Sequence, residues 1–195
     1  MQGLRVIVMG VSGCGKSTVA AGVAQALGLT MIDGDDLHLA QSVAKMRAGV
    51  ALDDADRWPW LDRIGQSLLP PPGGDPDHRG CVIACSALKR VYRDRLREAA
   101  APIHFIFLDG DVTLIAERMA RRTGHYMQPE LLASQVRTLE RPGADETDVV
   151  RLDISQAVPA LVSQAVAALN ALNAVNAVNA VKALTASAAL QAAAN

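Results

Sequence analysis

The sequence predicts an α/β fold in three layers, a parallel sheet of about five strands with helices on both faces. Five short, apolar, β-prone runs recur along the chain, at residues 4–9, 30–32, 81–85, 103–108 and 148–154. Longer stretches with helical periodicity separate these runs, and this alternation is typical of a parallel sheet. Half of the 195 residues are hydrophobic. That is enough for one good core with a small inserted lid, but hardly for two full domains.

The first predicted strand leads directly into a segment with the spacing of a phosphate-binding loop. Gly10, Gly15, Lys16 and Ser17 fit the pattern Gly-x-x-x-x-Gly-Lys-Ser, and an Ala/Val-rich helical stretch follows. In such a loop, backbone N–H groups wrap a polyphosphate while the lysine and the hydroxyl take the outer phosphates and Mg²⁺. The phosphates would lie at a helix N-terminus, where the macrodipole favours negative charge. The residues expected to bind nucleotide are Gly10, Val11, Ser12, Gly13, Cys14, Gly15, Lys16, Ser17 and Thr18.

The second predicted strand ends in the acidic stretch Asp33-Gly34-Asp35-Asp36-Leu37-His38. Ligands of a parallel sheet gather at the carboxyl ends of its strands, so these acids should lie beside the terminal phosphate. Phosphoryl transfer to an alcohol needs Mg²⁺ near the phosphates and a carboxylate that orients the acceptor hydroxyl and takes its proton. We assign Asp35 to the hydroxyl and Asp33, with Ser17, to the Mg²⁺ shell. The two roles could be exchanged, and a plain turn and helix cap is the alternative for the whole stretch.

The runs at 81–85 and 103–108 hardly alternate between polar and apolar residues, which predicts central strands covered on both faces. Cys81 and Cys85 are four residues apart, so both should point to one face of the sheet as buried thiols. Cys14 differs, because a thiolate near a helix N-terminus is favoured; its oxidation would then block nucleotide binding. With no fourth cysteine to complete a metal site, reduced thiols are expected.

Two stretches around the third strand are predicted to be exposed. Residues 70–80 are rich in Pro and Gly and cannot continue a helix, which indicates a connection at the surface. Arg90, Arg93 and Arg97 recur at helical spacing behind the strand. This pattern predicts an exposed helix face whose arginines pair with Asp94 and Glu98, a mainly structural role.

Several motifs together resemble the bacterial-type gluconokinase family. The phosphate loop alone would fit many kinases and ATPases, but further stretches narrow the family sharply. The most specific are Asp33–His38, Cys85-Ser86-Ala87-Leu88-Lys89 and Pro142-Gly143-Ala144-Asp145-Glu146, and further matching stretches lie within 45–49, 52–61, 92–97 and 124–125. The resemblance runs from about residue 4 to about residue 168. The Pro/Gly-rich connection and the C-terminal tail depart from the family pattern, and neither carries chemistry.

The resemblance implies ATP-dependent phosphorylation of D-gluconate at its 6-hydroxyl, with Mg²⁺, by a phosphate-loop kinase domain that is usually a homodimer. We expect this domain at residues 1–169. Gluconate is a small polyol with a carboxylate, so its site needs cations for the acid and polar groups for the hydroxyls. The candidate substrate-binding residues are Asp33, Asp35, His38, Lys45, Arg57 and Lys89. A solvated helix face is the alternative for Arg57 and Lys45.

A small lid is expected at roughly residues 118–130. Arg118 and Arg122 are four residues apart on one helix face, and Thr123-Gly124 offers a hinge-like break behind them. Arginines swung over the bridging phosphates would neutralise the charge that develops during transfer. Arg122 is therefore a catalytic candidate and Arg118 a nucleotide-binding one, with a plain solvated basic face as the alternative.

The charge balance and the tail limit the possible partners. With 19 Lys and Arg against 20 Asp and Glu, broad binding to nucleic acid or to an anionic membrane is not expected. No leader pattern and no run of about 18 uninterrupted apolar residues occurs, which indicates a cytoplasmic protein. From Asn170 the chain repeats Asn, Ala and Leu or Val with period three up to residue 181, and more Ala follows up to residue 195. Such a stripe drifts around a helix, so we expect a fraying helical tail, with a disordered tail or a coiled-coil stalk as the alternatives.

Two other functions fit part of the pattern. A related kinase, resembling shikimate or nucleotide kinases, would differ only in its acceptor pocket. A non-enzymatic nucleotide-binding switch would have no alcohol-directed acids beside the phosphates, whereas Asp33 and Asp35 occur there.

Overall fold

A single parallel sheet of five strands organises the chain. The computed structural model describes residues 3–70, 79–120 and 129–193, with the side chains of residues 131–175 in the last range. The strands are β1 (Leu4–Met9), β2 (Thr30–Asp33), β3 (Gly80–Ala84), β4 (His104–Asp109) and β5 (Val149–Asp153). Their order across the sheet is β2-β3-β1-β4-β5, and every neighbouring pair is parallel. The five predicted strands and the central positions of β3 and β4 are thereby confirmed.

Helices cover both faces of the sheet, as predicted. They are α1 (Lys16–Leu27), a short 3₁₀ helix (Gly34–Leu37), α2 (Ala40–Arg47), α3 (Asp54–Ser67), α4 (Arg90–Ala100), α5 (Val112–Ala120), α6 (Pro129–Thr138) and α7 (Val158–Ala193). Alternate side chains of β1 face opposite ways, as in any strand. Val6 and Val8 pack with α1 and α7, whereas Ile7 and Met9 pack with α3 and α4. Because of this alternation the sheet has a hydrophobic core on each face, between it and the helices that cover that face.

Cys81 and Cys85 both lie in the core that faces α3 and α4. They are buried and form no disulfide. Burial raises the pKa of Cys81 to about 11 and that of Cys85 to about 12. The expectation of two buried thiols on one face is confirmed.

The arginine face of α4 is exposed at Arg90, which pairs with Asp94 as predicted, but not at Arg93. Arg93 is only 1% exposed and donates to both carboxylate oxygens of Glu146, at 2.6 and 2.7 Å. Arg97 bridges Glu146 and Asp148. The hydrogen bonds from Arg93, with those from Arg97, hold the pKa of Glu146 at about 2 despite its burial. Arg97 also pairs with Asp94 at 2.6 Å, as predicted. The burial of Arg93 was not predicted because its carboxylate partner lies about fifty residues away in the sequence, in the stretch that precedes β5.

Helix α7 is continuous across the predicted domain boundary between residues 169 and 170. Leu161, Ala165 and Leu169 are buried in the core that also contains α1. None of the side chains described beyond them in the helix, up to Val175, is buried. The segment Val158–Val175 is long and apolar enough to span a membrane by length and composition alone, with a mean hydropathy of 1.5.

Deleting residues 171–195 is expected to leave turnover and Tm nearly unchanged, because none of the side chains described in α7 between Leu169 and Val175 is buried. Turnover, thermal unfolding and size-exclusion chromatography measure this. A truncation that starts at residue 160 is the matched control: it also removes Leu161 and Leu169 and should unfold the domain. Loss of activity or of the oligomer in the shorter deletion would contradict the prediction.

Candidate active site

The loop between β1 and α1 has the backbone that a phosphate cradle requires. Gly10, Gly13 and Gly15 have positive φ values of 137°, 81° and 100°, a region that side chains with a Cβ rarely adopt. A Cβ on Gly13 would also lie 2.5 Å from Met119 Cγ. Lys16 opens α1, and its Nζ donates to Val11 O at 3.1 Å. The ammonium group is therefore held over the loop.

Asp33 joins the acidic stretch to this loop. One carboxylate oxygen accepts from Ser17 Oγ at 2.9 Å, and the other accepts the N–H of Asp35 at 3.1 Å. The second bond caps the 3₁₀ helix, so the predicted cap exists. The first pairs a hydroxyl with a carboxylate, and both supply the oxygen ligands that Mg²⁺ prefers. The chemistry of this pair thus fits a Mg²⁺ ion beside the phosphates.

A cleft opens beside the phosphate loop, and five of the predicted residues line it, including Ser12 of the loop. Lys16 comes from α1, Asp35 from the 3₁₀ helix, His38 from the residue after it and Arg57 from α3. The other lining residues are Met46, Ala51, Leu52, Trp60, Ser86, Leu88, Leu131, Ser134 and Gln135. The cleft thus brings an ammonium group, a carboxylate, an imidazole and a guanidinium into one space.

A stacking contact holds the His38 ring in place in this cleft. The ring stacks on Trp60 with ring centroids 4.3 Å apart and 8° between the planes. Trp60 is itself fixed, because its Nε1 donates to Gly34 O at 2.6 Å. Burial lowers the pKa of His38 below its usual value, although the nearby Asp35 carboxylate opposes the shift. Within the described part of the chain, His38 Nδ1 is buried without a hydrogen-bond partner.

Arg57 is oriented by a network at the start of α3 and α4. Its guanidinium donates to Tyr92 Oη at 3.2 Å and lies 3.8 Å from Asp54. Tyr92 in turn donates to Asp54, and Lys89 pairs with the same carboxylate at 2.8 Å. Since one guanidinium carries five N–H donors, these contacts leave Arg57 able to bind an anion in the cleft.

Comparison with known proteins identifies the family. Residues 6–142 match a family model described as an AAA domain. The chain is 44% identical over 169 residues to the thermosensitive gluconokinase of Escherichia coli strain K12, covering 87% of this chain and 89% of that protein. The chain belongs to the gluconokinase family. A crystal structure of a gluconokinase from Sinorhizobium meliloti 1021 is also similar, with a TM-score of 0.75 and 44% identity over 87% of this chain and 93% of that one.

A third similar protein, the gluconokinase of Gluconobacter oxydans strain 621H, is 47% identical over 141 residues, or 72% of this chain and 78% of that protein. The resemblance predicted from the motifs is therefore confirmed. The gluconokinase fold also confirms the α/β architecture and the phosphate loop as its nucleotide-binding element.

Two predicted substrate-binding lysines of this gluconokinase family member do not line the cleft. Lys45 pairs with Asp56 at 2.6 and 2.7 Å. Lys89 pairs with Asp54 at 2.8 and 2.9 Å, and each carboxylate raises the pKa of its lysine. Both acids belong to the first turn of α3, which starts with a capping box between Asp53 and Asp56. The sequence pattern did not show that the two lysines would form ion pairs with these acids instead of lining the cleft.

The predicted phosphate-clamping arginines are only partly described. Arg118, in the last turn of α5, donates to Ile154 O at 2.8 Å. Its neighbour Met119 packs against the phosphate loop at Gly13, so Arg118 sits between that loop and the end of β5. Arg122 and most of the predicted lid at 118–130 lie outside the described residues. Their roles stay predictions.

Several residues of the cleft were missed by the sequence analysis. Leu131, Ser134 and Gln135 come from α6, and Ser86 follows β3. Ser86 lies inside a stretch already matched to the family, so it could have been found. The residues of α6 carry no local motif, because a serine and a glutamine on a helix are ordinary surface residues.

The expectation of a reactive Cys14 is wrong. The thiol is 2% exposed, and burial raises its pKa even though Lys16 nearby favours the thiolate. A neutral, covered thiol reacts slowly.

Iodoacetamide at neutral pH is therefore expected to leave the activity of the folded protein unchanged, since all three cysteines are buried. Turnover and intact mass before and after treatment measure this. Denatured protein, which should take up three labels, is the control. Rapid inactivation that bound ATP prevents would contradict the burial argument.

Proposed function

We propose that this member of the gluconokinase family transfers the γ-phosphoryl group of ATP to the 6-hydroxyl of D-gluconate, giving 6-phospho-D-gluconate and ADP. One observation carries the proposal: Lys16, Asp35 and Arg57, from three separate elements, line a single cleft. The named relatives are gluconokinases, and this chain matches them over most of their length. The cleft and the relatives together support ATP as the phosphoryl donor and gluconate as the acceptor.

The donor end uses the phosphate loop. Its amides and Lys16 hold the phosphates, and Ser17 and Asp33 would hold Mg²⁺, which neutralises phosphate charge when it is bound. Asp35 accepts the proton of the 6-hydroxyl while the hydroxyl oxygen attacks the γ-phosphorus. The bond between the γ-phosphorus and the oxygen of the leaving ADP breaks. Arg118 and Arg122 are proposed to stabilise the charge on the transferring group.

The acceptor end uses Arg57 and His38. A guanidinium pairs with a carboxylate through charge-assisted hydrogen bonds, and Arg57 is held in position by Tyr92 and Asp54. A neutral imidazole can donate to one hydroxyl and accept from another, which suits the sugar-acid chain. Lys45 and Lys89, whose charges are matched by Asp56 and Asp54, are proposed as weaker contributors to the positive potential.

Oligomeric state and location are also proposals. A homodimer is proposed from the family resemblance. A cytoplasmic enzyme without nucleic-acid or membrane partners is supported by the near balance of 19 basic and 20 acidic residues, since broad polyanion binding needs excess positive charge.

The test of the reaction is ADP release measured with a panel of acceptors. Gluconate should be preferred over other sugar acids, shikimate and nucleoside monophosphates, and the product should carry its phosphate on the 6-hydroxyl by NMR. Preference for shikimate or for a nucleotide would assign a related kinase instead. ATP hydrolysis that no acceptor stimulates would favour the switch.

Arg57→Ala is expected to raise KM for gluconate by about 10- to 100-fold, the loss of a charge-assisted hydrogen bond, with a smaller effect on KM for ATP. Steady-state kinetics for both substrates measure this. Arg95→Ala is the matched control, because Arg95 forms an exposed pair with Asp62 away from the cleft. Equal effects of the two substitutions would remove Arg57 from the acceptor site.

A further inference from the structure

One indole side chain, that of Trp60 in α3, contacts the 3₁₀ helix that carries Asp35 at two points. Its Nε1 donates to Gly34 O at 2.6 Å, in a buried hydrogen bond across 26 residues of sequence. Its ring stacks on His38, with the ring centroids 4.3 Å apart. Gly34 is the residue before Asp35, and His38 caps the end of the helix. Asp35 therefore lies between two residues that the same indole holds.

The backbone of Asp35 is tied to the same short turn. Its N–H donates to the Asp33 carboxylate at 3.1 Å, and its carbonyl oxygen accepts the N–H of His38 at 3.3 Å. The hydrogen bonds of a 3₁₀ helix have poorer geometry than those of an α-helix, so a single turn depends on contacts from outside. A shift of Gly34 or His38 would thus move the Asp35 carboxylate as well.

Helix α3 supplies these outside contacts from a fixed base. Trp60 is 2% exposed and packs in the core with side chains of β1 and β3. On the same helix, Arg63 donates to Leu37 O at 3.3 Å, so side chains of α3 bind the first and the last carbonyl of the 3₁₀ helix. Gly34 packs on the sheet, because a Cβ there would lie 2.5 Å from Ala84 O. The 3₁₀ helix is thus held between α3 and the end of β3.

We propose that Trp60 is a positioning residue for phosphoryl transfer, whose indole fixes the 3₁₀ helix so that the Asp35 carboxylate meets the acceptor hydroxyl. A general base must lie within hydrogen-bond reach of the proton that it takes. A misplacement of about 1 Å can cost about 100-fold in rate. This inference rests on the proposed function, because it takes Asp35 as the base that receives the proton of the 6-hydroxyl.

The direct test removes the indole N–H and keeps an aromatic ring. Trp60→Phe does this with a smaller ring, and replacing Trp60 by 3-benzothienylalanine, in which sulfur stands in place of the N–H, keeps the shape of the indole and protects the fold. Both changes should lower kcat with gluconate about 10- to 100-fold, with ADP affinity unchanged. Trp58→Phe is the matched control, because Trp58 contacts Tyr92 edge-on instead, and its kcat should match the wild type. A wild-type kcat in the benzothienyl protein would overturn the proposal.

A double-mutant cycle with Asp35→Asn separates positioning from a general loss of structure. If the indole acts through Asp35, Trp60→Phe should lower kcat in the wild type and cause little further loss in the Asp35→Asn background, since residues that act as a unit are not additive. Equal fold losses in both backgrounds would overturn the proposal. So would a raised KM for gluconate with unchanged kcat, which would mean that Trp60 contacts the acceptor itself.

The positioning role and the proposed function fail in different ways in this experiment. Unchanged kcat in Asp35→Asn alone removes Asp35 as the base, and with it the reason for a positioning role. A large loss in Asp35→Asn, with a wild-type kcat or a fully additive loss for Trp60→Phe, overturns the role of Trp60 alone and leaves the proposed reaction standing.

Discussion

Lys16→Ala is expected to abolish phosphoryl transfer while the protein stays folded. The ammonium group is the positive charge proposed to bind the outer phosphates, so its loss should remove that stabilisation from the transition state. Removing one preorganised donor to developing charge typically costs about 10²- to 10³-fold, and a full charge should exceed this range. Its one hydrogen bond among the described residues is to Val11 O, so the fold has little to lose.

The measurement is single-turnover phosphoryl transfer with Tm as the folding control. Lys16→Met is the second variant, because it keeps the length of the side chain and removes only the charge. Both variants should be equally inactive with Tm close to the wild type. Turnover at the wild-type rate by either folded variant would refute the assignment of the loop as the ATP site.

Asp35→Asn is expected to lower kcat by about 10²- to 10⁴-fold, the usual contribution of a general base, with nucleotide binding little changed. The substitution keeps size and hydrogen-bonding capacity and removes the group proposed to take the proton. Asp35 is exposed at the start of the 3₁₀ helix and lines the cleft with Lys16, so the fold should tolerate the change. The Mg²⁺ dependence should stay the same.

Asp36→Asn is the matched control, since Asp36 lies in the same 3₁₀ helix, is also exposed, and is not among the residues that line the cleft. Its kcat should match the wild type. If Asp35→Asn instead weakens Mg²⁺·ATP binding and keeps gluconate turnover at saturating metal, Asp35 belongs to the metal shell. Asp33 would then be the better candidate base.

The features that the sequence determined are local ones. The strands β1 to β5 agree with the predicted runs to within one residue at each end, because short, mostly apolar runs between helical stretches leave a parallel sheet few alternatives. The phosphate loop could be predicted because its glycines set the backbone conformation locally and Lys16 follows them within a few residues. Asp33 followed from its position at the end of a strand, where ligands of such sheets gather.

Tertiary structure alone decided the partners of charged and polar side chains. Arg93 is buried because Glu146, 53 residues away, supplies its counter-ion. Lys45 and Lys89 point to Asp56 and Asp54 instead of the cleft, and Gln135 reaches a loop 123 residues before it. A periodic pattern reports which face of an element is apolar, but burial and pairing depend on which distant element packs there. The physical reason is that desolvating a charge is costly unless a partner meets it, and only the folded chain supplies that partner.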